Sequence, residues 1–247
     1  NMPTLQKLAD RGLTYSQWHT TALCSPTRST LLTGRNHHLN GCSCITEGAQ
    51  GFPGWSGRLP AECATIGQVL QDSGWSTFWL GKNHNVPEQD IASGASRSEW
   101  PLQKGFDRFY GFLGGETNQW YPDLTEDNRF IDQPYAPEEG YHLSKDLVDQ
   151  AMQMIRDQKA SNPSKPWYMW LCPGANHAPH HAPKEYIDHF DFYCRFYDRS
   201  DLDSLLESVG MTAESVEVQR WWEPPHAGYR DYEHEHESLV FTIRKAG

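Results

Sequence analysis

Residues 74–84 read GWSTFWLGKNH, and the pattern around them decides the fold class. The preceding segment, Thr65 to Ser73, has apolar residues at helical spacing. Trp75 to Leu80 is then short, aromatic-rich and nearly continuous in apolar residues, which is typical of a strand. A second apolar run, Trp167 to Cys172, follows a predicted helix capped by Ser144 and is of the kind buried on both faces of a parallel sheet. Helices that alternate with such strands predict an α/β domain, a sheet flanked by helices.

Composition limits the classes of function. With 247 residues, 37% of them hydrophobic and 13% aromatic, the chain has enough apolar material for a globular core. No apolar run reaches the roughly 18 residues of a membrane-spanning helix, so we expect no membrane partner. A formal net charge of -11 argues against nucleic acid, because phosphate binding requires a basic surface. An anionic substrate would therefore need a local cluster of positive side chains.

The six cysteines do not have the spacing of a disulfide scaffold or a zinc site. Cys42 and Cys44 are separated by one residue, which is neither a zinc nor a thioredoxin spacing. A chain of this length also has enough other core residues to fold without disulfides. We expect most of the cysteines to be reduced residues of the core, with Cys24 as the exception.

Residues 20–36, TTALCSPTRSTLLTGRN, predict a helix that starts beside a cysteine. Ser25 suits the cap and Pro26 the first helical position. Cys24 would then lie just outside the helix N-terminus, where free N–H groups and the helix dipole favour an anion. Arg28, one turn further on, can direct its guanidinium to the same place. For a lone cysteine the alternative is a buried thiol beside a turn, with Arg28 in a surface ion pair.

Further polar residues follow the two predicted strands. Ligands bind beyond the carboxyl ends of strands in open α/β sheets. The first strand leads into Lys82 and His84, which project to one side of an extended chain. The second leads into a loop that contains His177, followed by His180 and His181. Lys-x-His is also common on surfaces, and the extra histidines could form a chance metal site or a solvated surface.

These elements resemble the motifs of the type I sulfatases. The family signature is Cys-x-Pro-Ser/Thr-Arg followed by Thr-Gly, matched here by Cys24, Pro26, Thr27, Arg28, Thr33 and Gly34. GKNH resembles the family's Gly-Lys-Trp-His, with Asn83 in place of Trp, and NHAP resembles its His-x-Pro segment, with His177 as the histidine. Residues 105–115 resemble a structural connector. The resemblance covers about residues 1–189, is nearest to the large bacterial arylsulfatases, and implies an alkaline phosphatase-like fold.

The resemblance implies a mechanism for sulfuric-ester hydrolysis. A formylglycine-generating or sulfatase-maturing enzyme would oxidise Cys24 to formylglycine, whose hydrate attacks the sulfur of a small-molecule sulfate ester. His177 would protonate the departing alcohol while Lys82 holds a sulfate oxygen. His84 would remove the proton from the second hydroxyl, and Arg28 would stabilise developing charge. The alternatives are a phosphonate or phosphate monoester hydrolase of the same superfamily, or a non-catalytic remnant.

The resemblance also implies calcium, bound through hard oxygen ligands. Of the family's ligands only Cys24, as formylglycine, has a counterpart here. The usual Asp-Asp pair belongs to a strand before the first helix, and the usual Asp-Asn pair follows a third strand. Neither is found, so the sheet is predicted to be truncated at both ends and the calcium site to be largely incomplete.

The last part of the chain has a different character. We expect residues 1–189 to form a partial sulfatase catalytic domain and residues 190–247 an α+β tail of uncertain origin. Within the tail, the sequence predicts a short helix at 198–210 and strands at 216–218 and 239–243. The tail weakly resembles the last helix and hairpin of class I methyltransferases, as in a truncated or joined gene product. The isolated chain should then be poorly stable and weakly active. We expect a soluble protein of the bacterial cytoplasm or periplasm.

Overall fold

The computed structural model describes residues 2–184, residue 186 and two strands at 211–223 and 234–245. These residues fall into two compact units, divided between Pro183 and Lys184. The predicted helix at 198–210 lies outside the described residues.

A five-stranded mixed sheet forms the centre of the first unit. Its strands are β1 (Ser76–Lys82), β2 (Arg108–Phe112), β3 (Leu124–Glu126), β4 (Arg129–Ile131) and β5 (Trp167–Cys172), in the order β4-β3-β2-β1-β5. β1 pairs in parallel with β2 and with β5, while β3 pairs antiparallel with β2 and with β4. The carboxyl ends of β5, β1 and β2 therefore lie at one edge of the sheet, where the predicted site residues were expected.

Among the described residues, four α-helices accompany the sheet: α1 (Pro3–Ala9), α2 (Cys24–Thr33), α3 (Ile66–Asp72) and α4 (Leu143–Ser161). Short 3-10 helices lie at Thr46–Gly48, Glu88–Asp90, Pro101–Lys104 and Pro137–Glu139. The predicted Ser144 cap of α4 is wrong. The helix begins at Leu143, and the His142 side chain takes the cap position by accepting a hydrogen bond from the Ser144 N–H.

The sheet has a separate hydrophobic core on each face. Trp79 belongs to one core with Phe106 and Leu32 of α2, whereas its neighbours Phe78 and Leu80 belong to the other, with residues of α4 such as Leu147. This alternation follows from the period of two along a strand. β1 is thus buried on both faces, with α2 packed on one face and α4 on the other.

β5 departs from the prediction that it is buried on both faces. It pairs with β1 and ends the described sheet, and Trp167 and Leu171 remain 36% and 40% exposed. The apolar run identified the strand correctly, but burial depends on neighbours that a local pattern does not specify. α1 also leaves apolar side chains in contact with solvent, because Leu5 and Leu8 are exposed.

The second unit contains an antiparallel hairpin. Its strands β6 (Met211–Glu223) and β7 (His234–Lys245) include the predicted strands 216–218 and 239–243 and extend well beyond them. In the described part of the chain, no helix combines the length and the apolar character needed to cross a bilayer.

Candidate active site

α2 places Cys24 within the first turn of the helix. The helix begins at Cys24, and Leu23, with extended backbone, precedes it as the cap residue without a side-chain cap. Ser25 is therefore not the cap that the sequence predicted; it is buried inside the helix. Gly34 ends the helix in the left-handed conformation, as expected. Cys24 consequently lies among the first N–H groups of a helix, which lack intrahelical partners.

Arg28 links α2 to the end of β1. Its Nη1 donates a hydrogen bond to the Lys82 carbonyl oxygen at 3.1 Å. The Lys82 side chain is buried, and burial together with the Arg28 charge lowers the pKa of its amine, while Cys24 opposes that shift. Burial raises the pKa of the Cys172 thiol at the end of β5, and the charge of Arg28 opposes that shift. Two cations from different segments are thus held beside Cys24 in an acidic protein.

His84 makes the closest contact with Cys24. Its Nδ1 lies 3.0 Å from the Cys24 Sγ, and its Nε2 lies 2.9 and 3.0 Å from the two carboxylate oxygens of Glu47. The His84 backbone has a positive φ of 56°, and its side chain is only 4% exposed. Cys24, His84 and Glu47 therefore form a continuous chain of side-chain contacts.

These contacts shift the pKa values of all three groups. Burial raises the pKa of the Cys24 thiol, but the hydrogen bond and charge of His84 and the charge of Lys82 outweigh it and lower the pKa to about 7. Burial lowers the pKa of His84, but its hydrogen bonds to Cys24 and Glu47 outweigh burial and raise it. The hydrogen bond from His84 lowers the pKa of Glu47 to about 2. The site therefore favours a negatively charged atom at position 24.

Sequence reasoning missed Glu47. It lies in the 3-10 helix Thr46–Gly48, within the long loop at residues 40–60, which has no motif of its own. The length of that loop is the available signal, because long loops inside a compact domain are often functional. The contact with His84 is tertiary and spans 37 residues.

His177 lies beside this cluster without joining it. Its Nδ1 is 3.4 Å from the Glu116 carboxylate, and in the described residues no hydrogen bond or ion pair links it to Cys24. The preceding residue, Asn176, lines the cavity next to Cys24. The structure thus brings together Cys24, Arg28, Lys82 and His84, and places His177 in the loop at the margin of the site.

The other histidines of this loop have different surroundings. His181 Nδ1 accepts a weak hydrogen bond from the Gln119 N–H at 3.4 Å, and the His181 carbonyl oxygen accepts one from His142. His180 is exposed. These two hydrogen bonds therefore hold the loop after β5 against Gln119 and His142.

An open cavity of about 450 Å³ adjoins Cys24. Leu31 and Trp170 supply apolar wall, and Arg28 supplies positive charge. The volume lies in the range of small-molecule sites. A small anion with an apolar substituent would fit such a combination.

The described residues do not fit a calcium site. Within residues 2–184, no group of three or more His, Cys, Asp or Glu side chains converges in a way that could hold a metal ion. Glu47, the carboxylate that reaches this cluster, is already paired with His84. Residue 24 as formylglycine would thus supply one hard-oxygen ligand for calcium. Among the described residues, no cluster of side chains completes the coordination shell.

Comparison with known proteins establishes the family. Residues 1–217 match the Sulfatase family, and the chain therefore belongs to the sulfatases. It is 29% identical to an uncharacterised sulfatase of Schizosaccharomyces pombe over 208 residues, and 29% identical to the arylsulfatase of Klebsiella aerogenes over 197 residues. Each match covers 76% of this chain but only 36% and 40% of the relative, so the chain spans well under half the length of these relatives.

Solved structures support the same fold. A Bacteroides thetaiotaomicron protein of glycosaminoglycan metabolism has a TM-score of 0.61 at 19% identity, covering 85% of this chain and 44% of the other. The protein Ps i-CgsB has a TM-score of 0.56 at 22% identity, covering 70% and 39%. The predicted α/β, alkaline phosphatase-like fold is confirmed. The family match runs past residue 189, while the division of the chain at that residue stays a prediction.

Proposed function

We propose that this chain carries the nucleophile-bearing part of a sulfuric-ester hydrolase, with Cys24 as the residue that becomes formylglycine. The observation that carries the proposal is the contact of Cys24 with His84, beside the cations Arg28 and Lys82. Membership of the sulfatase family and the similarity to arylsulfatases support the reaction class. The proposed partner in maturation is an enzyme that oxidises Cys24 to the aldehyde.

Formylglycine supplies a hydrated aldehyde in place of a thiol. One hydroxyl of the hydrate attacks the ester sulfur, the bond from sulfur to the ester oxygen breaks, and the alcohol leaves with a proton. Arg28 and Lys82 stabilise the negative sulfate oxygens as charge develops. The product of this step is a sulfate ester of residue 24.

His84 is suited to the second step. Its Nδ1 lies 3.0 Å from the side-chain heteroatom of residue 24, which is within hydrogen-bond distance. Removal of the proton from the remaining hydroxyl lets the carbonyl form, and the carbon–oxygen bond to sulfate breaks as sulfate leaves with its electrons. Water then rehydrates the aldehyde. His177, at the margin of the site, is the proposed proton donor to the alcohol of the first step.

The charge of the substrate provides the sharpest test of this reaction class. The complete natural protein, matured at residue 24, is assayed with p-nitrophenyl sulfate and p-nitrophenyl phosphate, and Cys24→Ala serves as the control. We expect kcat/KM to be higher for the sulfate and both activities to disappear in Cys24→Ala. A higher value for the phosphate would indicate a phosphate monoester hydrolase, and no turnover of either would indicate a non-catalytic remnant.

A further inference from the structure

Glu47 is the acidic residue that the structure adds to the site. Its two carboxylate oxygens lie 2.9 and 3.0 Å from His84 Nε2, while His84 Nδ1 lies 3.0 Å from Cys24 Sγ. The three side chains come from α2, from a 3-10 helix in the 40–60 loop and from the segment after β1. The three residues are distant in sequence, and the tertiary fold brings their side chains into contact.

The surroundings of His84 restrict the orientation of its ring. A Cβ atom placed on Gly115 would lie 2.6 Å from the ring, so this glycine permits the close approach. The His84 N–H donates to the Leu113 carbonyl oxygen at 3.0 Å, which ties its backbone to the end of β2. The ring is buried, and its two nitrogens face different partners.

The identity of those partners decides which nitrogen carries the proton. A carboxylate can only accept hydrogen bonds, so a neutral His84 must carry its proton on Nε2 to bond with Glu47. Nδ1 then presents a lone pair to residue 24. Without the carboxylate, the opposite tautomer would direct an N–H at residue 24 and remove the acceptor.

We propose that Glu47 is a positioning residue that holds His84 in the tautomer with the proton on Nε2, so that Nδ1 accepts the proton of residue 24. This inference rests on the proposed function, in which the second hydroxyl of the residue-24 hydrate loses its proton while sulfate departs. In that step the O–H bond breaks, the proton passes to Nδ1, and Glu47 remains a carboxylate beside the imidazolium. Orienting carboxylates act on catalytic histidines in the same way in unrelated hydrolases.

A purely structural role is the competing explanation, because Glu47 also fastens its loop to His84. The test therefore uses Glu47→Gln, which keeps the shape of the side chain but can either donate to Nε2 or accept from it. The exposed Glu62 provides a matched control, since Glu62→Gln makes the same change of charge away from His84. Glu47→Asp, which keeps the charge on a shorter side chain, tests for partial rescue.

Two readouts are measured on the complete natural protein matured at residue 24. In the first, ¹⁵N chemical shifts of the His84 ring, assigned with His84→Gln, should show the proton on Nε2 in the wild type and a mixture of tautomers in Glu47→Gln. In the second, Glu47→Gln should lower kcat for p-nitrophenyl sulfate by about 10- to 100-fold without raising KM. The sulfate ester of residue 24 should accumulate in quenched samples, as seen in the mass of its peptide.

The outcomes separate this inference from the proposed function. Unchanged ring shifts in Glu47→Gln, or a higher KM with no sulfated peptide, would overturn the positioning role. Glu62→Gln should match the wild type, and Glu47→Asp should recover part of the lost kcat. If the wild type turned over no sulfate ester, the proposed function would fail, while the ring shifts would still decide whether Glu47 fixes the tautomer.

Discussion

Cys24 and Cys42 lie in environments that move the pKa of their thiols in opposite directions. The His84 and Lys82 contacts outweigh burial at Cys24 and bring its pKa to about 7, whereas burial raises the pKa of Cys42 to about 11. The thiolate is the reactive form of cysteine. Two residues of one type in one domain should therefore differ greatly in reactivity.

Alkylation of the unmodified protein should show this difference directly. As pH rises, the rate at Cys24 should reach half of its maximum near pH 7, while Cys42 should stay unreactive until the solution is far more alkaline. His84→Ala should move the Cys24 midpoint upward, because the stabilising hydrogen bond and charge are lost. Mass spectrometry of iodoacetamide-treated peptides measures both sites at once, and equal pH profiles would contradict the described environment of Cys24.

Gly81 of β1 is a second residue whose surroundings predict the effect of a substitution. It has a φ of 92°, and an added Cβ would lie 2.1 Å from the Cys172 carbonyl oxygen. Gly81→Ala should therefore lower the free energy of unfolding by about 2 kcal/mol or more through backbone strain and overlap. Gly74→Ala is the control: its φ of 84° carries similar strain, but no atom lies within 4 Å of the added Cβ. Urea unfolding that ranks the two variants equally would disprove the overlap.

Among the elements, α3 depends on its first turn. Thr65 accepts a hydrogen bond from the Gln68 N–H, the Gln68 side chain accepts one from the Thr65 N–H, and the Thr65 hydroxyl donates to the Lys104 carbonyl oxygen. The capping box thus also joins α3 to the segment before β2. Loss of such a cap costs about 1–2 kcal/mol.

Thr65→Ala should accordingly lower the free energy of unfolding by about 1–2 kcal/mol, as measured in urea. Thr65→Ser retains the hydroxyl and should lie much closer to the wild type. A Ser variant as unstable as the Ala variant would show that the methyl group, not the hydrogen bonds, accounts for the loss.

The sequence predicted elements well where one local pattern was strong. The predicted strands at 75–80 and 167–172 correspond to β1 (Ser76–Lys82) and β5 (Trp167–Cys172). β2 lies within residues 105–115, for which the resemblance predicts only a structural connector, and β3 and β4 have only three residues each. Such strands are stabilised by pairing with neighbours, which a local pattern does not contain.

The sequence motifs predicted part of the candidate site. The motif placed Cys24, Arg28, Lys82 and His84 near one another, and the structure brings them together. It did not contain Glu47, whose contact with His84 depends on the course of a long loop. The predicted caps at Ser25 and Ser144 are wrong. Serine is a common cap residue, but Leu23 and His142 hold the cap positions in the structure.

At the scale of the whole molecule, exposed apolar side chains bear on the stability of the isolated chain. Leu5 and Leu8 of α1 and Trp167 and Leu171 of β5 are all exposed to a substantial degree. Apolar side chains in contact with water contribute no burial free energy and favour self-association. The 247-residue chain by itself should therefore unfold over a broad temperature range, bind a hydrophobic dye and turn over sulfate esters weakly. A cooperative thermal transition together with ordinary sulfatase rates would refute this expectation.

The central claim is that the chemistry takes place at residue 24 after its conversion to an aldehyde. The most direct test is to prepare the complete natural protein with graded amounts of a formylglycine-generating enzyme and to plot turnover of p-nitrophenyl sulfate against the aldehyde fraction of the residue-24 peptide. Turnover should rise in proportion to that fraction, and the line should extrapolate to zero turnover at zero aldehyde. Full turnover by protein that carries an unmodified Cys24, or by Cys24→Ala, would contradict the account.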